Sequence, residues 1–236
     1  MKISPTLTEV KEIAKTGKYD ILPVSCEILS DFITPIEAMR ILQNVSTHCY
    51  LLESAQANEA WGRYTFLGYD PKLEINCIDG HMKLGKLSVE TENPSEYIRQ
   101  ILSEYKSPKF DYLPSFTGGL VGYFSYDYLG YKEKSIRGKA RDTEDFKDVD
   151  LMLFDKVIAF DNLCQKIILI ANMSLDAPET GYNKAIVELK QLRELLMHGE
   201  KKQNMGGKLL GEVTPLFDKE QYCETVSYTH LTLPTI

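Results

Sequence analysis

An α+β fold, with antiparallel sheets packed against flanking helices, is predicted by three features of the 236-residue sequence. Apolar runs are joined by tight-turn signals such as Asp79-Gly80, which mark hairpins rather than crossovers. Amphipathic stretches of helical period are scattered between these runs. Strand and helix do not alternate in the regular way that a doubly wound parallel sheet requires.

Taken in order, TLTEVKEIAKTG predicts a short helix, with Thr6 and Glu9 at capping-box spacing and Gly17 just past its end. YDILPVSCEI reads as extended. TPIEAMRILQN starts a second helix, with Thr34 as cap, Pro35 at the first helical position and Glu37 three residues after the cap. HCYLLES, GRYTFLGY and KLEINCI predict strands, and Asp79-Gly80 turns the last of them into HMKLG. Asn93-Pro94 announces a third helix, with Ile98, Ile101, Leu102 and Tyr105 on one face. GGLVGYFSY reads as a strand whose glycines mark a bulge or the close approach of another backbone. YKEKSIRGKARDTEDF predicts an exposed, charged excursion, and DVDLMLFDKVIAFDNLCQKIILIANM a hairpin turning at Asp161-Asn162 with two long apolar strands. The longest helix, from Pro178 to His198, carries the stripe Tyr182, Ala185, Ile186, Leu189, Leu192 and Leu196, with Gly199 placed to end it. Residues 1–200 thus read as one domain and 201–214 as a linker or loop, after which Asp218 and Gln221 cap a new helix in DKEQYCETV.

A hydrophobic fraction of 43% with 26% charged residues is that of a folded globular chain and too apolar for disorder. The net charge of -7 argues against a surface built to grip phosphate backbones, which needs basic clusters. Five cysteines, an odd number without a CxxC pair, support neither a disulfide framework nor a zinc site, and reduced thiols in a cytoplasmic protein are expected. No run approaches the ~18 apolar residues of a membrane span, and the opening MKISPTLTEVKEIAKTG lacks the apolar core of a signal peptide.

Most catalytic signatures are missing. There is no GxxxxGK[ST] or GxGxxG phosphate loop and no GxSxG elbow, and the histidines at 48, 81, 198 and 230 are far apart. What remains is LLESAQANEAWGRYTFLGYDP, residues 51–71, which holds the only tryptophan, Trp61. Strand alternation puts Leu51 and Glu53 on one face and Leu52 and Ser54 on the other. Glu53 has the setting of a partly buried carboxylate with a task, since it ends an apolar strand. A carboxylate suits a ligand's ammonium, the Arg63 guanidinium suits a carboxylate through its two-pronged fork, and the Ser54 hydroxyl serves either. With Tyr64, Phe66 or a leucine covering its side chain, these groups could recognise a free amino acid. The same groups allow a plain Glu53–Arg63 ion pair across the hairpin, worth about 0.2–1 kcal/mol if exposed. The residues alone leave both readings open.

The same stretch resembles the N-terminal signature of component I, the large subunit, of anthranilate synthase, in the chorismate-utilising enzyme family. PSFTGGLVGYFSYD resembles the second signature of that family, and DVDLMLFDKVIAFD a later stretch ending in a Phe-Asp step. The resemblance runs in order from near the N-terminus to Val226 and implies an incomplete anthranilate/aminodeoxychorismate synthase-like fold. It further implies a lyase that takes chorismate, with ammonia or glutamine, to anthranilate and pyruvate in the first committed step of tryptophan biosynthesis. Mg2+ and a glutamine amidotransferase subunit, component II, would serve that reaction. Leu52, Glu53 and Ser54 would belong to a feedback site for L-tryptophan, with Arg63 and Tyr64 as lining residues. Residues 215–226 would begin the chorismate-binding domain, whose catalytic and metal-binding residues would all lie outside this chain. From Ser227 onward SYTHLTLPTI departs from the pattern and reads as foreign, non-native sequence. Component I of aminodeoxychorismate synthase and a stand-alone amino-acid-binding module are the alternative readings, and neither nucleic acid nor membrane is an expected partner.

Overall fold

Thr6 and Thr34 open helices in the way their spacing predicts. In the computed structural model, which describes residues 2–54, 62–135, 146–203 and 206–232, the Thr6 hydroxyl accepts from Glu9 N at 3.4 Å while the Glu9 carboxylate accepts from Thr6 N at 2.7 Å. This reciprocal pair starts α1 (Leu7–Lys15), and the equivalent pair between Thr34 and Glu37 starts α2 (Pro35–Val45). The other helices are α3 (Pro94–Ser103), α4 (Pro178–His198) and α5 (Lys219–Thr232).

In chain order the strands are β1 (Ile3–Ser4), β2 (Ile21–Leu29), β3 (Cys49–Leu52), β4 (Tyr64–Tyr69), β5 (Leu73–Ile78), β6 (His81–Leu84), β7 (Leu87–Glu90), β8 (Gly119–Phe124), β9 (Val149–Phe154), β10 (Lys156–Asp161) and β11 (Lys166–Ser174). They form a six-stranded sheet in the order β1-β2-β11-β10-β4-β3 and a five-stranded sheet in the order β7-β6-β5-β9-β8. Every described pairing is antiparallel, so the α+β class expected from the hairpin signals is the class observed.

The chain divides into two compact units, Met1–Lys202 and Gln203–Ile236. In the first, period-two alternation gives the six-stranded sheet two apolar faces. Ile158, Phe160, Ile167, Leu169 and Ala171 pack with α1, α2 and α4, whose buried contributions include Val10, Ile41, Leu42, Leu189 and Leu192. The intervening residues Val157, Ala159, Ile168 and Ile170 pack on the opposite face under Leu113, Phe110 and Phe116. Burial at this level contributes about 1.5–3 kcal/mol for each fully covered leucine or isoleucine. In the second sheet Ile75, Cys77, Met82, Val149 and Leu151 pack with Ile98 of α3.

Several expectations are corrected. VDLMLFDKVIAF is not one strand of a hairpin: it breaks at Asp155, with β9 in the five-stranded sheet and β10 in the six-stranded one. The Asp155 carbonyl there accepts from Asn172 N at 2.8 Å and Asn172 Nδ2 at 2.9 Å, and Nδ2 also donates to Thr117 O at 2.6 Å. The break is silent in the sequence because apolar residues continue on both sides of it. Leu102, placed on the buried face of α3, is 44% exposed. The excursion predicted to begin at Tyr131 is anchored at its first residue, where the phenol donates to Asp148 Oδ2 at 2.7 Å and accepts from Gly80 N at 2.7 Å. Its portion 136–145 lies outside the described residues.

The expectations for the strand glycine, the α4 stripe and the Asp218 cap hold. A Cβ on Gly122 would lie 1.9 Å from Asp150 O, and its φ of +153° is one that L side chains rarely adopt, so this glycine does mark the close approach of a neighbouring strand. Tyr182, Ala185, Leu189, Leu192 and Leu196 of α4 are buried, and Ile186 is partly so. Cys26 is buried, and burial pushes its thiol up to about 11. Within the second unit, Asp218 Oδ1 accepts from Gln221 N at 2.8 Å and caps α5, which continues past Val226 to Thr232. Among the described residues no helix is long and apolar enough to cross a membrane.

Candidate functional site

β3 and β4 pair as the predicted hairpin, with Leu51 opposite Leu67 and Leu52 opposite Phe66. Register carries the row onward: Phe66 faces Ala159, Ala159 faces Ile168, and Ile168 faces Glu27. Leu52 therefore sits at the edge of the sheet face that bears Tyr64, Phe66 and Phe116. These rings form a ladder, Tyr64 to Phe66 at 5.8 Å and Phe66 to Phe116 at 5.6 Å. Tyr50 joins it, edge-on to Phe116 at 6.4 Å and to Phe154 at 4.7 Å.

Arg63 does not pair with Glu53. Its Nε donates to Asp161 Oδ1 at 3.1 Å and its Nη2 to Asp161 Oδ2 at 2.7 Å, the two-pronged arrangement that a guanidinium and a carboxylate make best. Asp161 ends β10 beside Tyr64 and is 3% exposed, and its Oδ1 also accepts from Leu163 N at 3.2 Å and Cys164 N at 3.1 Å. The Arg63 guanidinium holds the Asp161 carboxyl below the usual carboxylate range; burial pushes the other way and the Cys164 N–H reinforces the lowering. In return Asp161 raises the already high pKa of Arg63. The guanidinium lies 4.9 Å from the centre of the Tyr64 ring, close enough for a cation–π contact.

The expected site residues are thus brought together in part. Arg63, Tyr64 and Leu52 lie at one end of the sheet, but the fork of Arg63 is taken by Asp161 and is not presented to a ligand carboxylate. Glu53, expected to be partly buried, is exposed, as are Leu52 and Ser54. The reason is position: β3 is an edge strand that ends at Leu52, whereas Asp161 closes a central strand. Residues 55–61, Trp61 among them, lie outside the described residues. Local sequence chemistry marks Asp161 only as a turn residue, and the Phe160-Asp161 step stands out only through the family resemblance.

Two of the open cavities among the described residues show what lies elsewhere. One, about 470 Å³, is lined in part by Asp70, Lys156, Lys184 and Glu188, whose charges already meet each other: Lys156 reaches Asp70 at 2.7 Å and Lys184 reaches Glu188 at 3.7 Å. The other, about 430 Å³, is lined in part by Ser25, Glu27, Leu113 and Ile168, and Glu27 is paired with Lys166 at 2.9 Å. Among the described residues no group of three or more His, Cys, Asp or Glu side chains could hold a metal ion.

Residues 47–233 match the family of chorismate binding enzymes, and the chain belongs to that family. Its individual relatives are more specific. Anthranilate synthase component 1 of Acetivibrio thermocellus is 31% identical over 240 residues, covering 94% of this chain and 47% of that protein. Anthranilate synthase component 1 of Pseudomonas aeruginosa is 36% identical over 196 residues, covering 80% of this chain and 39% of that protein. The crystal structure of anthranilate synthase component I from Streptococcus pneumoniae matches with a TM-score of 0.46 and 25% identity over 70% of this chain and 36% of that one. The chain spans less than half the length of these curated relatives.

Proposed function

We propose that this chain is the N-terminal, regulatory part of an anthranilate synthase component I. The observation that carries this reading is the likeness to anthranilate synthase component 1 along 94% of the chain but only 47% of that protein. The complete enzyme converts chorismate, with ammonia or with glutamine through its amidotransferase subunit, to anthranilate and pyruvate. In this reading the residues that hold chorismate and Mg2+ belong to the span that the relatives do not share with this chain.

The part played by this chain is recognition of L-tryptophan as the end-product inhibitor. The Glu53 carboxylate takes the ammonium group by a charge-assisted hydrogen bond, and Ser54 lies beside it. Leu52 leads onto the Tyr64–Phe66 ladder, which offers an indole an offset or edge-on partner. Arg63 organises that ladder while engaged with Asp161, which leaves the ligand carboxylate to groups outside this chain. An anthranilate assay tests the reading. The purified chain, given chorismate, ammonia and Mg2+, is expected to produce no anthranilate fluorescence, and steady product formation would overturn it.

A further inference from the structure

We propose that Asp161 is the positioning residue of the amino-acid site at Leu52–Ser54, acting through Arg63 on the aromatic wall of Tyr64 and Phe66; the claim rests on the tryptophan-site reading above. Four hydrogen bonds converge on this carboxylate, two from the Arg63 fork and two from the Leu163 and Cys164 N–H groups of the β10–β11 turn. The two from the turn fix where the carboxylate points, and the two to Arg63 pass that direction to the guanidinium. The guanidinium then lies 4.9 Å from the Tyr64 ring, and Tyr64 stands 5.8 Å from Phe66, which is opposite Leu52 in the ladder.

The burial pattern fits this order of command. The Asp161 side chain is 4% exposed and that of Arg63 37%, so the anchor is inside and the arm is the more exposed of the two. Asn162 supports the same junction, its N donating to Arg63 O at 2.9 Å and its Nδ2 to Thr65 Oγ1 at 3.3 Å. Lys166 lies beside Asp161 in the next strand but is committed to Glu27 at 2.9 Å, which leaves the Asp161 fork to Arg63.

A double-mutant cycle on the full chain, Asp161→Asn, Arg63→Gln and both together, tests this. Hydrogen–deuterium exchange of β3 and β4 is one readout, with β5 and β6 as internal reference. The other is an NMR titration with L-tryptophan. Each single variant is expected to speed exchange of β3 and β4 about tenfold, with β5 and β6 unchanged, and to weaken tryptophan binding about tenfold. The double variant is expected to match the singles within about twofold, because both break one chain of contacts. Arg63→Gln, at a half-exposed position, keeps the test alive if Asp161→Asn does not fold. Unchanged exchange in the singles, or effects that multiply in the double, would overturn the proposal. So would a loosened hairpin on which tryptophan binds as tightly as before. If the hairpin loosens as described but the unaltered chain shows no tryptophan-dependent shifts, the positioning of the wall by Asp161 stands and the tryptophan reading falls.

Discussion

Tyr50 is 9% exposed, yet its hydroxyl finds no hydrogen-bond partner among the described residues. The ring itself is well placed: it packs edge-on against Phe154, and Gly68 leaves it room, since a Cβ there would come within 2.2 Å of the ring. Burial pushes the phenol pKa well above its ordinary value, so the group stays neutral and its cost is that of a desolvated O–H. Removing that O–H takes away a penalty and no bond. Tyr50→Phe is therefore expected to leave stability unchanged or raise it by about 1 kcal/mol in chemical denaturation. A loss larger than about 1 kcal/mol would show that the hydroxyl has a partner.

At the scale of elements, the reciprocal Thr34–Glu37 cap sets the start of α2. Thr34→Ala is expected to cost about 1 kcal/mol and to lower Tm by about 3 °C; a melting curve superimposable on that of the unaltered chain would remove the cap from the list of stabilising contacts. This cap was legible in the sequence because both partners lie within one turn. So were the Thr6 cap, the Asp79-Gly80 turn and the α4 stripe, each a pattern confined to a short window. The break at Asp155 was not, because it depends on Asn172 and Thr117, which only the assembled sheets bring near. The site divides in the same way. Leu52 and Tyr64 share a hairpin and could be placed together, but the partner of Arg63 is 98 residues away in Asp161, whereas Glu53 was the acid close at hand.

At the scale of the whole molecule, one edge of the five-stranded sheet, as described, bears on behaviour in solution. β8 is its edge strand, and Phe124, Tyr126 and Leu129 on and after it are exposed, Tyr126 at 87%. Unpaired strand backbone beside exposed aromatic rings favours strand-to-strand association. The chain is expected to self-associate at about 10–100 µM, seen as sedimentation that rises with concentration, and Phe124→Lys with Tyr126→Lys is expected to reduce it. A concentration-independent monomer in sedimentation would sink this expectation. The curated relatives are more than twice as long as the region they share with this chain.

The pairing of β2 with β11 reaches further still. Leu29 sits opposite Lys166 and Ile21 opposite Ser174, so an early strand closes against one made much later. At about 5–20 residues per second, a ribosome needs roughly 7–30 s to travel from one to the other. Through that interval the nascent chain carries Leu22, Val24 and Cys26, all buried in the finished sheet, without β11, the strand that pairs with them there. The hairpin of β3 and β4, whose partners are close in sequence, can pair before β10 and β11 are made.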